Sequence, residues 1–396
     1  MPLILIVSYY IDPIKQIINA MNLDKEFPLD PAICYLNHAA VGPWPLRARD
    51  RVIEFANTNV TRGAQHYPQW LEVEDNLRKQ CAELLNAGST DDIALVKNTS
   101  EALSMVAHGL KWQAGDNVVI PAGEFPSNRV VWQSLAEYGV EIRQVDTRFT
   151  DEPEKALFEQ FDGKTRLLSV SSVQYDIGLC LDLVKLGQYC NENKVLFCVD
   201  AIQSLGVLEI DVEAIKADFV MADGHKWLLG PEGLAIFYSR PSSRKQLKLN
   251  EFGWHMLENL YDFDNLDWSI AESARRFECG SPNMLGAQAL DASLSIFAEY
   301  GMESVTRNVF NNTSYLIDKI ENISCIEVQT PRIKSRHAGI VNFKIHDKDP
   351  TAVYESLMQQ GVICALRGGG IRFSPHFYTS QAILDKAVNI LLETLK

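Results

Sequence analysis

Apolar and polar positions along this chain alternate between two periods: short runs of Val, Ile and Leu, then longer stretches with helical spacing. The pattern predicts helices over 47–60 and 68–86, a strand in IALVK (93–97) and a helix opening at Asn98. It continues with DNVVI (116–120), a helix over 127–138, VEIRQV (140–145), a helix near 152–161 and RLLSVSSV (166–173). A helix over 181–193, VLFCVD (195–200), a short helix, DFVMA (218–222) and LAIFY (234–238) complete the series. Uniformly apolar strands separated by helices imply a mostly parallel sheet covered on both faces, an α/β fold.

Both ends depart from this pattern. Residues 1–46 read as an arm, with a helix near 13–22 and the Pro-rich FPLDPAICYLNHAAVGPWP. The stretch 239–282 is irregular, mixes aromatic with charged residues, and reads as a long connection lining a site. Beyond Pro282 the spacing predicts helices over 283–299 and 302–321, strands at 325–329, 339–345, 362–366 and 370–374, and helices near 350–360 and 379–394. The expected division is an arm (1–46) joining a small α+β domain (283–396), with a large α/β domain (47–282) between them.

Composition narrows the function classes. At 396 residues, with 46% hydrophobic and 22% charged, the chain has the size and make-up of a globular enzyme. A net charge of -14 argues against nucleic acid or an anionic membrane as partner, so any anionic ligand must sit in a local pocket. The eight cysteines are scattered, with no C-x-x-C pair and no zinc spacing, and read as reduced thiols of a cytoplasmic protein with no metal site. LILIV near the start is too short for a membrane span and lacks the flanks of a signal peptide.

In an open parallel sheet, ligands gather where strands end. After IALVK comes Asn98-Thr99-Ser100-Glu101, which reads either as a plain helix cap or as a phosphate site built on a helix N-terminus. Asp200 ends VLFCVD, where a carboxylate needs a partner: a helix N-H, a ribose, a metal or a cationic ring. Gln203 follows about one helical turn later. After DFVMA come Asp223, His225 and Lys226 in VMADGHKWLLGPEG, taken alone a surface turn. Together the three strand ends supply what pyridoxal phosphate needs: a phosphate seat, a carboxylate for the ring nitrogen and a lysine for the Schiff base. Neither G-x-G-x-x-G after a strand nor G-x-x-x-x-G-K-[ST] is present.

With these motifs the chain resembles the class V aminotransferases of pyridoxal-phosphate fold type I, which include cysteine desulfurases, kynureninase-like enzymes and isopenicillin N epimerase-like proteins. The likeness runs from YLNHAAVGPWP at 35 to IRFSPHFYTS at 371. It implies that Lys226 carries the cofactor, Asp200 faces the ring nitrogen and Gln203 donates to the ring oxygen. Asn98, Thr99, Ser100, Asp223 and His225 would border the cofactor and its phosphate. Ser281 in F-E-C-G-S-P-N resembles a residue that reaches the phosphate of a neighbouring subunit, which implies a homodimer with shared sites. Phe125 in G-E-F-P-S-N stands where the family stacks a ring, often histidine; phenyl stacks but moves no proton. Arg372 matches the clamp for an amino acid's carboxylate, with Arg367 assisting, and Asn37, His38, Tyr175 and Trp254 line the substrate side. Plain readings stand beside these: core packing for Phe125, a surface ion pair for Arg367.

A desulfurase needs a mobile cysteine before the clamping arginine. The sole candidate, Cys364, lies in an apolar run eight residues before Arg372 and reads as core. The expected function is chemistry at the Cα of a small amino acid, with transamination placed first on the family's name. Cysteine desulfuration or C-S cleavage comes second, epimerisation is a further alternative, and an inactive cofactor-binding regulator is the non-enzyme rival.

Overall fold

A computed structural model describes residues 21–264 and 266–396; the expected helix near 13–22 lies almost wholly outside them. Thirteen strands follow in chain order: β1 (Cys34–Tyr35), β2 (Ile93–Val96), β3 (Asn117–Pro121), β4 (Glu141–Val145), β5 (Thr165–Ser171), β6 (Leu196–Asp200), β7 (Phe219–Asp223), β8 (Ala235–Ser239), β9 (Ile326–Val328), β10 (Val341–Ile345), β11 (Val362–Ile363), β12 (Ala365–Arg367) and β13 (Gly370–Phe373). The main sheet runs β2-β8-β7-β6-β5-β3-β4, parallel except for β8, which is antiparallel to both neighbours.

Period-two alternation explains why its strands look uniformly apolar. Leu168, Val170, Phe197, Val199, Val220 and Ala222 pack on one face with the helices Tyr67–Leu85 and Met284–Tyr300. Leu167, Cys198, Phe219 and Met221 pack on the other with the helices Thr99–Gly109 and Ser127–Gln133. A strand buried on both sides has no polar face to display. A second, antiparallel sheet runs β12-β13-β10-β9 over its own core, and β1 pairs in parallel with β11.

Three expectations are corrected. The short helix after Asp200 is a series of turns, because Gly206 takes φ +93° against the Trp227 carbonyl, a conformation closed to a helix. The strand expected over 362–366 breaks at Cys364, where the chain leaves β1 as partner and takes β13. The helix expected over 127–138 is α-helical to Gln133 and tightens to a 3-10 turn over Ser134–Tyr138. Among the described residues no helix is long and apolar enough to cross a membrane.

One close approach governs the helix Leu183–Asn193. A Cβ on Gly187 would run into the Ile215 carbonyl oxygen and stand 3.2 Å from Phe197 Cδ1. Gly187→Ala gains about 1 kcal/mol of helix propensity. It should nevertheless destabilise the protein by roughly 2 kcal/mol net, since overpacking against backbone that cannot swing aside costs about 3 kcal/mol, the upper end of the usual range. Denaturant unfolding checks this; an unchanged or raised midpoint would show that the helix can shift freely.

Candidate active site

The residues of the sequence motifs collect at one edge of the main sheet because each follows or closes the carboxyl end of a strand. Thr99 and Ser100 come after β2, Phe125 after β3, Tyr175 after β5, Asp200 closes β6, and Asp223 closes β7 just before His225 and Lys226. β6 and β7 are central neighbours, so Asp200 and the lysine loop share the middle of the edge.

Lys226 is only 8% exposed, with its Nζ 5.5 Å from the centre of the Phe125 ring. Burial pushes its amine down to about 8, against the pull of Asp200 and with Arg372 lowering it further. Asp200 is buried, accepts from Ile202 N at 3.0 Å, and is pushed up to about 6 by loss of water. Gln203, also buried, donates to the Ala39 carbonyl at 3.0 Å and accepts from the Trp227 indole at 2.8 Å, which leaves one amide N-H for a ligand.

The phosphate-type helix start forms as its sequence suggests. Asn98 Oδ1 caps the Glu101 amide at 2.9 Å, leaving the amides of Thr99 and Ser100 at the open helix end. The Thr99 hydroxyl accepts from Asp223 N at 3.1 Å and ties this helix to β7, while Ser100 bonds Ser127 at 2.9 Å. His225 Nδ1 lies 2.9 Å from Asp223 Oδ1 but off the line of a hydrogen bond, and both atoms are buried without another partner.

Arg372 is the second unusual cation. It lies on β13 and is 2% exposed; Nη1 donates to the Tyr175 carbonyl at 2.7 Å, Nη2 reaches Asn37 Oδ1 at 3.5 Å, and Nε has no partner. No carboxylate pairs with it among the described residues. Burial lowers the guanidinium to about 10, with Arg367 adding repulsion. An uncompensated buried charge costs several kcal/mol, which an arriving anion would offset. Arg367 is exposed on β12 on the same face, opposite Gly370, with Arg372 opposite Ala365.

Other expected members stand further off. His38 is fully buried with both ring nitrogens engaged, by the Ser374 carbonyl at 2.8 Å and the Tyr378 hydroxyl at 2.6 Å, so no ring nitrogen faces a ligand. Trp254 packs with His255, Tyr261 and Phe263 in the irregular stretch. Ser281 is exposed. Tyr175 meets Phe125 edge-on at 5.2 Å. Sequence reasoning missed Glu124, whose buried carboxyl accepts from Ser171 N at 2.6 Å, from the Ser171 hydroxyl and from Gln174 Nε2 at 3.0 Å. It anchors the loop bearing Phe125 to the end of β5; its place beside Phe125 just past a strand end was the available signal.

Away from this edge, Glu74, His255 and Glu278 bring potential metal ligands within 4.8 Å of one another beside a cavity of about 310 Å³. Arg78 already fills the gap, bonding Glu74 at 2.5 Å and both oxygens of Glu278 at 2.6 and 2.8 Å. Its guanidinium supplies the positive charge that a metal would bring.

The orphaned atoms of Asp223, His225 and Arg372, the open helix end and a buried lysine beside a buried aspartate fit a small molecule carrying a phosphate, an aldehyde and a ring nitrogen, as pyridoxal phosphate does.

Comparison with known proteins agrees with this chemistry. The family described as aminotransferase class-V matches residues 34–381. A probable cysteine desulfurase of Methanothermobacter thermautotrophicus is 30% identical over 397 residues, covering 94% of this chain and 96% of that protein. One of Pyrococcus abyssi is 29% identical over 395 residues, with 94% and 96% covered. Among solved structures, the cystine C-S lyase C-DES bound to cysteine persulfide superposes with a TM-score of 0.86 at 22% identity, over 92% of this chain and 98% of that one. The Escherichia coli cysteine desulfurase CsdA gives 0.84 at 20% identity, over 95% and 99%. At such identities the structural likeness speaks for the fold.

The lowered Lys226 amine has a measurable consequence. An amine must be neutral to attack an aldehyde, so cofactor uptake by the apo-protein should fall about tenfold per pH unit below about 8 and level off above it. Visible absorbance during reconstitution checks this; a rate still climbing past pH 10 would mean an ordinary lysine.

Proposed function

The chain belongs to the class V aminotransferase family of pyridoxal-phosphate enzymes, and on that premise we propose that it is a C-S lyase acting on cysteine or a related small sulfur amino acid. The observation carrying this reading is the state of Cys364. A desulfurase that holds sulfur on its own cysteine needs an exposed thiolate able to reach the substrate. Cys364 is 1% exposed where β11 gives way to β12, and burial pushes its thiol up to about 12. Sulfur is therefore released from the site and not passed to this thiol. In net terms cysteine and water give pyruvate, ammonia and hydrogen sulfide, with no change of oxidation state summed over the reaction. Transamination, placed first on the family's name, has no residue here that favours it.

Each role follows from the geometry of the chain's own side chains. Thr99, Ser100, His225 and the open helix end would hold the cofactor phosphate, Asp200 its ring nitrogen, Gln203 its ring oxygen, and Phe125 the face of its ring. When bound, that cofactor supplies a covalent seat for the substrate amine and a sink for the electron pair left at Cα. Arg372 receives the substrate carboxylate by its planar fork, with Asn37 fixing one end of the guanidinium. Held there, the substrate presents its Cα proton toward Lys226, whose amine takes it as the Cβ-S bond breaks. Phe125 is 40% exposed and its ring carries no proton, so proton transfer falls to Lys226.

The same reading makes the protein a homodimer with Ser281 reaching into the partner's site. It is supported by exposed Phe252, Phe263, Leu266 and Trp268 on the stretch leading to Ser281. Native mass should give twice the chain mass of 44.5 kDa; a catalytically competent monomer would remove Ser281 from the mechanism.

Supplied with single amino acids, the holoenzyme should release ammonia and keto acid together with sulfide from cysteine, or together with cysteine persulfide from cystine. Lys226→Ala should lower turnover by at least about a thousandfold. Cys364→Ala should stay within about twofold, as for a core cysteine exchanged for a smaller apolar residue. Loss of sulfide release in Cys364→Ala would restore the desulfurase reading. Keto acid formed with no free ammonia would restore transamination, Cα-deuterium exchange without product would mean epimerisation, and a bound cofactor with no turnover would mean a regulator.

A further inference from the structure

Two fully buried histidines lie behind the site, and neither serves the chemistry above. His376 is fixed by elimination of alternatives. The Phe377 backbone N-H, which can only donate, points at His376 Nδ1 at 2.8 Å, and the Trp227 carbonyl, which can only accept, lies 3.0 Å from Nε2. Its Nδ1 is therefore bare and its Nε2 carries the proton. The backbone of His376 is held as well, with its N-H donating to the Thr379 hydroxyl at 3.0 Å and its carbonyl accepting from Asn312 at 2.9 Å. His38, 5.1 Å away ring to ring, braces the same segment through the Ser374 carbonyl.

The two ends of this contact matter. His376 lies four residues after Arg372 on the chain that leaves β13, and the carbonyl it grips belongs to the residue after Lys226. No other polar side chain among the described residues bonds that carbonyl. Trp227 is also held by its indole, through Gln203 and the face of Gly339, and Gly206 packs against its carbonyl without a hydrogen bond.

We propose that His376 is a positioning residue: by holding the Trp227 carbonyl from the segment that starts at Arg372, it sets the separation between the Lys226 amine and the Arg372 guanidinium, and so the size of amino acid both can hold. This rests on the function proposed above, in which one substrate meets both cations.

The test compares His376→Leu, which keeps bulk but loses the donor, with His376→Gln, whose amide can donate to the same carbonyl. In the holoenzyme, kcat/KM for the amino acid should fall by about a hundredfold in His376→Leu, as expected for misplacement near 1 Å, and recover to within about fivefold in His376→Gln. For the carboxamide of the same amino acid, which Arg372 does not clamp, His376→Leu and wild type should differ by less than about threefold. Amide hydrogen exchange over 224–230 should quicken in His376→Leu, whether or not the protein is loaded or active. Gly187→Ala, destabilised far from the site, serves as the control for loss of stability alone. Unchanged exchange in 224–230, equal losses for acid and carboxamide, or no rescue by glutamine would each overturn the proposal. A wild type that turns over no amino acid would overturn the functional reading instead, and the exchange measurement would still decide the role of His376.

Discussion

The site depends on keeping the Lys226 amine and the Arg372 guanidinium away from water with no carboxylate among the described residues in a close ion pair with either, Asp200 acting on the lysine only from a distance. Removing a charge from water is costly, and proteins ordinarily offset that cost with an ion pair or let the group lose its proton. Here the amine is driven toward neutrality and the guanidinium stays charged, held by the Tyr175 carbonyl and Asn37. The rest of the neighbourhood serves to make this arrangement affordable: apolar strands on both faces, a helix end aimed inward, and Asp200 near enough to temper the lysine.

Rigidity is the second requirement, since an unpaired buried cation would otherwise swing toward solvent. The chain answers with close backbone approaches. Gly42 lies against the Lys226 carbonyl and donates to the His225 carbonyl at 2.7 Å, Gly206 lies against the Trp227 carbonyl, and Gly339 lies flat on the Trp227 indole. A side chain at any of the three would push the lysine loop out of register. Buried neutral imidazoles complete the frame, and Glu124 does for the Phe125 loop what His376 does for the lysine loop.

Much of this was legible in the residues. Strand after strand appeared where the apolar runs stood, and Asn98, Asp200 and Lys226 could be assigned to one edge because parallel strands must end there together. The misses have local causes. The turns after Asp200 look helical in composition, and only the pressure of Trp227 on Gly206 forbids the helix. The run 362–366 looks like one strand, and only the change of partner at Cys364 divides it. His38 is polar and lies in a motif beside Asn37, so it reads as a ligand; its burial between Ser374 and Tyr378 involves residues over 330 positions away.

The amino-acid sequence by itself determined the order of elements, the parallel sheet and the placing of the lysine, the aspartate and the helix cap at strand ends, because periodicity and strand polarity are local properties. The tertiary structure alone decided what each of these side chains lacks. Whether Arg372 has a carboxylate partner, whether Cys364 can reach solvent, and whether a histidine nitrogen is free all depend on which distant segments close over them, and solvent exclusion is a property of that packing and not of any stretch of chain.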